Sequence, residues 1–227
     1  MTPELDFDRI VATLEASLQA PLPGLAAQAL MAPQPARQWP AGFQLSDLRH
    51  AAGLLLLFPA DDRAQVVLTV RAHTLDRHGG QVSLPGGVVE AGETFEQAAL
   101  REAHEEIGLE TASVRVLGAL TPIDITVSGF RLHPIVAIAG ARPLLTPADG
   151  EVGRILEVSL DSLLDSRRIA WRTLTRDGKV FHFPAFPVDA DAEIWGATAM
   201  VLAELLSMLG WAGPPARSIA DSPRAGE

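Results

Sequence analysis

The sequence predicts a mixed α+β sandwich rather than a doubly wound sheet, because many short apolar runs separated by turn signals accompany one central and one closing helical segment. The chain has 227 residues, of which 48% are hydrophobic, so there is enough apolar material for one sizeable core. We predict an N-terminal helical arm at residues 1–49, a compact domain at residues 50–210 and a flexible C-terminal tail at residues 211–227.

The elements follow from the spacing of apolar residues along the chain. In the arm, Leu5, Ile10, Leu14 and Leu18 recur with polar residues between them, which indicates a helix, and a proline-punctuated stretch follows. In the compact domain, apolar runs of strand length lie between turn residues. The predicted strands cover residues 52–58, 66–70, 82–84, 88–89, 113–120, 132–139, 152–158, 169–174 and 180–186, and a final helix covers residues 192–209.

The central helix is predicted at residues 95–107, where apolar residues recur every three or four positions. Thr94 is expected to cap its N-terminus together with Gln97. Gly108 is expected to end it, since glycine readily adopts the left-handed conformation that follows a helix.

Composition excludes several classes of function. The chain has no cysteine, so it holds no disulfide, thiolate zinc site, iron–sulfur cluster or cysteine nucleophile. Its 28 acidic and 18 basic residues give a net charge of −10, which argues against a nucleic-acid-binding surface. The longest apolar run, residues 51–59, is about half of the roughly 20 residues that span a bilayer. The acidic N-terminus lacks an export signal. We expect a cytoplasmic protein without nucleic-acid or membrane partners.

The central helix concentrates negative charge. It carries three glutamates on one side, Glu102, Glu105 and Glu106. Glu105 and Glu106 follow Glu102 by three and four residues, so the three side chains are neighbours and their charges repel one another. Mg²⁺ prefers carboxylate and water oxygens and commonly bridges carboxylates to substrate phosphates. A solvated acidic helix face is the alternative, but the glycine-rich entry to the helix favours a metal site, because glycine lets backbone carbonyls approach an ion.

The spacing of these residues is similar to the Nudix box, Gly-x5-Glu-x7-Arg-Glu-U-x-Glu-Glu-x-Gly-U, in which U is a bulky aliphatic residue. Seven polar and glycine positions match without a gap; Leu109 fits the last U and Ala103 is smaller than the usual aliphatic residue. The matching segment begins at Gly87, continues to Glu93 and ends in Arg101-Glu102-Ala103-His104-Glu105-Glu106-Ile107-Gly108-Leu109.

The resemblance implies an α/β/α sandwich with a mixed sheet and a catalytic loop and helix, which hydrolyses a diphosphate linked to another group with Mg²⁺ or Mn²⁺. Glu102, Glu105 and Glu106 would bind the metal, with the Gly87 carbonyl as a further ligand. Arg101 and Glu93 would form the pair that holds the loop and helix in register. The base that takes a proton from the attacking water stays open between the box glutamates and Glu151.

Residues 67–87 resemble the segment that marks the coenzyme A diphosphatase branch of the family, and the resemblance extends over about residues 50–205. It implies hydrolysis of coenzyme A or acyl-CoA to 3′,5′-ADP and (acyl-)4′-phosphopantetheine. This chain departs from the branch at Asp76, where an arginine is usual, and at Leu84, where a phenylalanine is usual. The residues expected to bind the substrate are Arg71, Arg77, His78, Gly86 and Gly87.

Two alternatives stay open. The Asp76 departure favours an ADP-ribose or nucleotide-sugar diphosphatase. A non-catalytic sensor of a nucleotide metabolite is the other, although a pure binder has no need for three repelling carboxylates. We expect a small-molecule diphosphate as the partner, and the apolar arm and the helix after Trp195 allow a homodimer.

Overall fold

The computed structural model describes residues 6–40, 42–61, 63–72, 81–148, 150–176 and 178–217. The helices in this part of the chain are α1 (Phe7–Leu18), α2 (Gly24–Ala29), α3 (Phe95–Ile107), α4 (Leu160–Leu164) and α5 (Gly196–Met208). The strands are β1 (Arg49–Ala60), β2 (Arg63–Arg71), β3 (Val82–Ser83), β4 (Gly86–Val88), β5 (Val114–Ala119), β6 (Ile123–Ile125), β7 (Phe130–Ala139), β8 (Val152–Ser159), β9 (Ala170–Arg176), β10 (Lys179–Pro187) and β11 (Glu193–Ile194).

The main sheet is mixed because β1 pairs with its neighbours in both directions. It lies parallel to β7 and antiparallel to β2 and β4. The outer strands β3 and β8 pair with β2, while β5 and β6 pair with β7. A smaller antiparallel sheet has the order β11-β10-β9.

Strand β1 is buried on both faces, which explains its continuous apolar sequence. Leu54 and Leu56 belong to a core cluster with Ala99 and Ala103 of α3. The alternate residues Leu55 and Leu57 belong to a second cluster that includes α1 and α5. The sheet therefore lies between α3 on one face and α1 with α5 on the other, and the predicted mixed α+β sandwich is confirmed.

The central helix has the predicted bounds and caps. The Thr94 hydroxyl accepts a hydrogen bond from Gln97 N, and the Gln97 side chain accepts one from Thr94 N. Gly108 follows the helix with φ of 65°, where a residue with a Cβ is strained. The last helix begins later than predicted, because Glu193–Ile194 pairs with β10 as a strand before Gly196. Helices α2 and α4 were not predicted, since each spans about one turn.

The N-terminal helices pack on the body. Ile10, Val11 and Leu14 of α1 are buried in the cluster that contains α5, and Trp211, after α5, is buried there too. The division of the chain at residues 49 and 210 stays a prediction. None of the helices in the described ranges is long and apolar enough to cross a membrane.

A buried carboxylate connects α5 to the N-terminal helices. Glu204 is fully buried, and its Oε1 accepts hydrogen bonds from Gly24 N (3.1 Å) and from the Thr121 hydroxyl (2.7 Å). Its Oε2 accepts one from Gln28 Nε2 (2.8 Å). Buried polar groups are costly when they lose their partners, so these bonds fix α2 and the segment before β6 against α5.

We expect Glu204→Ala to lower the free energy of unfolding by about 2–4 kcal/mol, because it leaves several buried donors without an acceptor. Urea unfolding of the purified protein measures this change. Glu15→Ala is the matched control: its carboxylate is exposed and pairs with Arg115 on the surface, so a change within about 0.5 kcal/mol is expected. Equal stability of both variants would contradict the role given to Glu204.

Candidate active site

The loop before α3 approaches the sheet closely at two glycines. Pairing of β4 with β1 places Gly86 opposite Gly53 and Gly87 opposite Ala52. A Cβ at Gly86 would lie 2.2 Å from the Ala52 carbonyl oxygen, and one at Gly87 would lie 2.5 Å from the Glu102 carboxylate. The contact at Gly86 is with backbone, so glycine is required there, whereas a Cβ at Gly87 would displace the Glu102 carboxylate.

Arg101 connects the loop to the helix. Its Nε donates to Glu93 Oε1 at 2.7 Å and its Nη2 donates to the Val88 carbonyl at 3.0 Å. Glu93 in turn accepts a hydrogen bond from Glu90 N through Oε2 (3.0 Å), which closes the turn. The Arg101 guanidinium lowers the pKa of Glu93, and the Glu93 hydrogen bond raises the pKa of Arg101, so both remain charged. The structure thus brings together the pair that the sequence analysis assigned to support the loop.

The same guanidinium also bridges two of the helix glutamates. Arg101 Nη1 donates to Glu102 Oε1 at 2.9 Å and to Glu105 Oε2 at 3.1 Å. One arginine therefore offsets part of the repulsion that the sequence analysis identified. Glu105 is the more exposed of the two carboxylates, with 56% of its side chain accessible against 17% for Glu102.

The third glutamate points from α3 toward the sheet. Glu106 Oε2 accepts a hydrogen bond from Gly86 N at 3.0 Å. Burial raises the pKa of Glu106 to about 7, the negative charges of Glu102 and Glu151 add to this rise, and the Gly86 hydrogen bond and Arg71 oppose it. Glu102 and Glu151 therefore lie close enough to Glu106 to disfavour its ionisation.

These residues fit a divalent cation. The Glu102 carboxylate occupies the space left by the missing Cβ of Gly87, so a carboxylate and a glycine backbone meet at one place. Oxygen ligands of this kind suit Mg²⁺ and Mn²⁺. Within the described residues no three acidic or histidine side chains already surround one point as they would around an ion. Arg101 bonds to both Glu102 and Glu105, so a cation would compete with Arg101 for them.

A pocket of about 620 Å³ lies beside this helix. Four of the predicted site residues line it: Arg71, Gly86, Gly87 and Glu106. This volume is in the range of small-molecule sites. Arg77 and His78, which were predicted to bind the substrate, lie outside the described residues, as does Asp76.

Sequence reasoning missed other parts of the pocket wall. Arg37 from the arm, Arg176 at the end of β9, and residues 123–128 line the pocket. Trp195, at the start of α5, lines it as well and packs against Phe183 with ring centroids 5.0 Å apart. No local pattern assigned Arg37 or Arg176 to the site, because they meet it only when distant segments of the chain pack together.

Comparisons with known proteins agree with this arrangement. A family model described as NUDIX domain matches residues 47–172. An uncharacterized Nudix hydrolase named NudL, from Citrobacter koseri, is 32% identical over 163 residues, which are 71% of this chain and 84% of the relative. Nudix hydrolase 22, chloroplastic, of Arabidopsis thaliana is 35% identical over 175 residues, 74% of this chain and 57% of the relative. Among solved structures, the Nudix hydrolase RenU of M. smegmatis is 29% identical, with a TM-score of 0.45, and the match covers 60% of this chain and 81% of that one.

A mixed sheet between helices, with a carboxylate-rich helix beside a deep pocket, defines a hydrolase of small-molecule diphosphates. The chain belongs to the Nudix family, as the sequence analysis predicted. Enzymes of this family generally use divalent metal ions.

The raised pKa of Glu106 predicts a pH dependence of stability in metal-free protein. Its pKa is about 7 in the fold against an ordinary value of 4.5, so between these values the folded state holds a proton that the unfolded state has lost. Stability from this group therefore falls as the pH rises from 4.5 to 7. We compare the wild type with Glu106→Gln in the presence of a chelator. Between pH 4.5 and 7, the free energy of unfolding of the wild type should fall by about 1–3 kcal/mol more than that of the variant.

Urea unfolding at several pH values measures the difference. Glu96→Gln, which changes an exposed carboxylate on the same helix, is the control and should run parallel to the wild type. Parallel curves for Glu106→Gln and the wild type would show that the buried carboxylate is not the source of the pH dependence.

Proposed function

We propose that this Nudix hydrolase cleaves the diphosphate of coenzyme A or an acyl-CoA with Mg²⁺ or Mn²⁺, and releases 3′,5′-ADP and 4′-phosphopantetheine or its acyl form. The observation that supports this most is the placement of the segment that resembles the coenzyme A branch. Strand β2 carries Leu68, Thr69 and Val70 and ends at Arg71, which lines the pocket together with Glu106. The residues that resemble the coenzyme A branch therefore reach the same pocket as α3, the helix that carries the glutamates of the Nudix box.

The roles proposed for the box residues follow from their positions. Glu102, Glu105 and Glu106, with the Gly87 carbonyl, would hold the divalent metal, which when bound supplies positive charge to the diphosphate oxygens. Arg101 and Glu93 position the loop through the bonds between them. Arg71 reduces the negative potential around Glu106 and is placed to contact a phosphate.

The reaction adds water across one phosphorus–oxygen bond of the diphosphate. The water oxygen forms a bond to one phosphorus, the bridging oxygen leaves with the other, and a carboxylate accepts the proton of the water. The candidates for this base are the box glutamates and Glu151. Glu106 lines the pocket, and the negative charge of Glu151 helps to raise its pKa, so both carboxylates are near the proposed reaction site.

An ADP-ribose or nucleotide-sugar diphosphatase is the second candidate function. It is favoured by Asp76, which stands where the coenzyme A branch usually has an arginine and so removes a cation that would bind phosphate. Leu84 is the second position at which this chain differs from the coenzyme A branch. Its side chain is buried, with 6% of its surface exposed, and lines the pocket. It supplies an apolar contact there but no aromatic face. A metabolite sensor without catalysis is disfavoured by the intact set of glutamates. A homodimer and a cytoplasmic location stay predictions.

A substrate panel tests the proposed function. With Mg²⁺ or Mn²⁺, coenzyme A or acetyl-CoA should yield 3′,5′-ADP at a higher kcat/KM than ADP-ribose, NADH or diadenosine polyphosphates yield their products. Chromatography with mass detection identifies each product. Cleavage of ADP-ribose without release of 3′,5′-ADP from coenzyme A would replace the proposal with the second candidate.

We expect Glu105→Gln and Glu106→Gln to lower kcat at least about 100-fold, because each removes a charged ligand for the metal. Steady-state kinetics on the best substrate of the panel measures the loss, and circular dichroism checks that both variants fold. Glu96→Gln on the same helix is the matched control and should retain full activity. Unchanged turnover in both box variants would remove the assignment of metal ligands.

A further inference from the structure

One wall of the pocket comes from the proline-rich arm after α2. Gln34 pairs with His182 of β10 through two backbone hydrogen bonds, of 2.7 and 2.8 Å. This pairing fixes the arm along the β9–β10 hairpin, and Pro33 and Ala36 line the pocket on either side of it. Backbone hydrogen bonds therefore hold this wall of the pocket in place.

Two arginines meet in this wall. Arg37 comes from the arm and Arg176 from the last position of β9, and both line the pocket. The Arg37 guanidinium lies over the ring of Phe181, with its central carbon 5.3 Å from the ring centroid. Burial, and after it the positive charge of Arg176, lowers the pKa of Arg37. The fold therefore holds two like charges close together beside an open pocket.

The buried nitrogen of Arg37 has no hydrogen-bond partner in the part of the chain that the structure describes. Its Nε is shielded from solvent and makes no hydrogen bond to any described residue. The pocket also contains two carboxylates, but Glu106 accepts its bond from Gly86 and Asp124 is held by Arg131 at 2.6 Å. A buried donor without an acceptor costs free energy, so hydrogen bonds to the described residues are not what keeps Arg37 in this wall.

Most other arginines of the described chain form ion pairs on the surface. Examples are Arg63 with Asp161, Arg115 with Glu15, Arg142 with Glu157, Arg154 with Asp189, Arg167 with Asp165 and Arg172 with Glu193. Carboxylates are plentiful in a chain of net charge −10. The wall instead places Arg37 against an aromatic ring and a second arginine, which suits an external anion.

We propose that Arg37, with Arg176 beside it, binds a phosphate monoester of the substrate that is separate from the diphosphate undergoing hydrolysis. This inference rests on the proposed function, because coenzyme A carries such a group at its ribose 3′ position and ADP-ribose does not. A phosphate dianion accepts charge-assisted hydrogen bonds from guanidinium groups and offsets the repulsion between two of them. Arg37 is thus proposed as a specificity residue that acts on substrate binding and not on the bond that breaks.

Coenzyme A and dephospho-coenzyme A share one diphosphate and differ only in the 3′-phosphate, so they test the proposal directly. The wild type should prefer coenzyme A in kcat/KM by roughly 10- to 100-fold, the size expected of a charge-assisted bond. Arg37→Ala should remove most of this preference through a higher KM for coenzyme A, and should change kcat/KM for dephospho-coenzyme A less than about threefold.

Matched variants distinguish a loss of phosphate binding at Arg37 and Arg176 from a general loss of activity. Arg37→Gln keeps a polar side chain, shorter and without the charge, and should lose the preference as well, and Arg176→Ala should weaken it. Arg167→Ala is the control, since its side chain is 90% exposed and pairs with Asp165 away from the pocket wall. Thermal unfolding checks that each variant folds.

A binding measurement gives a readout independent of turnover. In metal-free buffer, calorimetry should show that 3′,5′-ADP binds the wild type at least about tenfold more tightly than AMP, and that Arg37→Gln binds the two equally.

Several results would overturn the proposal. One is that both coenzyme A and dephospho-coenzyme A are cleaved but the Arg37 variants affect them equally or not at all. Another is that AMP and 3′,5′-ADP bind the wild type equally. Failure of the enzyme to cleave either coenzyme A form marks instead the failure of the proposed function, and it overturns this inference with it.

Discussion

The site depends on the attraction between one guanidinium and three carboxylates. Arg101 bonds to Glu93 in the loop and to Glu102 and Glu105 on α3, so a single side chain sets the distance between the loop and the helix. Without it, the like charges on one side of the helix would repel one another and the loop at Val88 would lose a donor. Small apolar residues of α3 pack against β1 and stabilise the helix. Its charged side takes no part in this packing and is free to bind ligands.

The sheet supplies the second constraint, because its backbone leaves no space for a Cβ at Gly86, where the loop begins. The Ala52 carbonyl lies against Gly86 and the Glu102 carboxylate lies against Gly87. Gly86 N also donates to Glu106, so the backbone of the loop and the side chains of the helix contact each other directly. A close approach of backbone to carboxylate is what a cation between them needs, and glycine makes it possible at both points.

Local chemistry decides which of these features the sequence predicts. The bounds of α3 follow from its apolar spacing, from Thr94 with Gln97, and from Gly108, all within a few residues of one another. The β11 strand at Glu193–Ile194 and the pairing of Gln34 with His182 are invisible locally, because short backbone pairings depend on distant partners. The same reason explains why the sequence indicated Arg71 and Glu106 for the site but gave no sign of Arg37 or Arg176.

The part of the chain shared with the family and the parts outside it contribute different chemistry to the pocket. Residues 47–172 match the NUDIX domain. They include α3, Arg71 and the loop that begins at Gly86 and Gly87. Arg37, Arg176 and the start of α5 at Trp195 lie outside that match, yet line the same pocket. The matched domain therefore contributes Arg71 and the acidic Glu106 to the pocket, while the segments outside it contribute the basic Arg37 and Arg176. Since the diphosphate is common to many substrates, the proposed preference for coenzyme A depends in part on segments outside the matched domain.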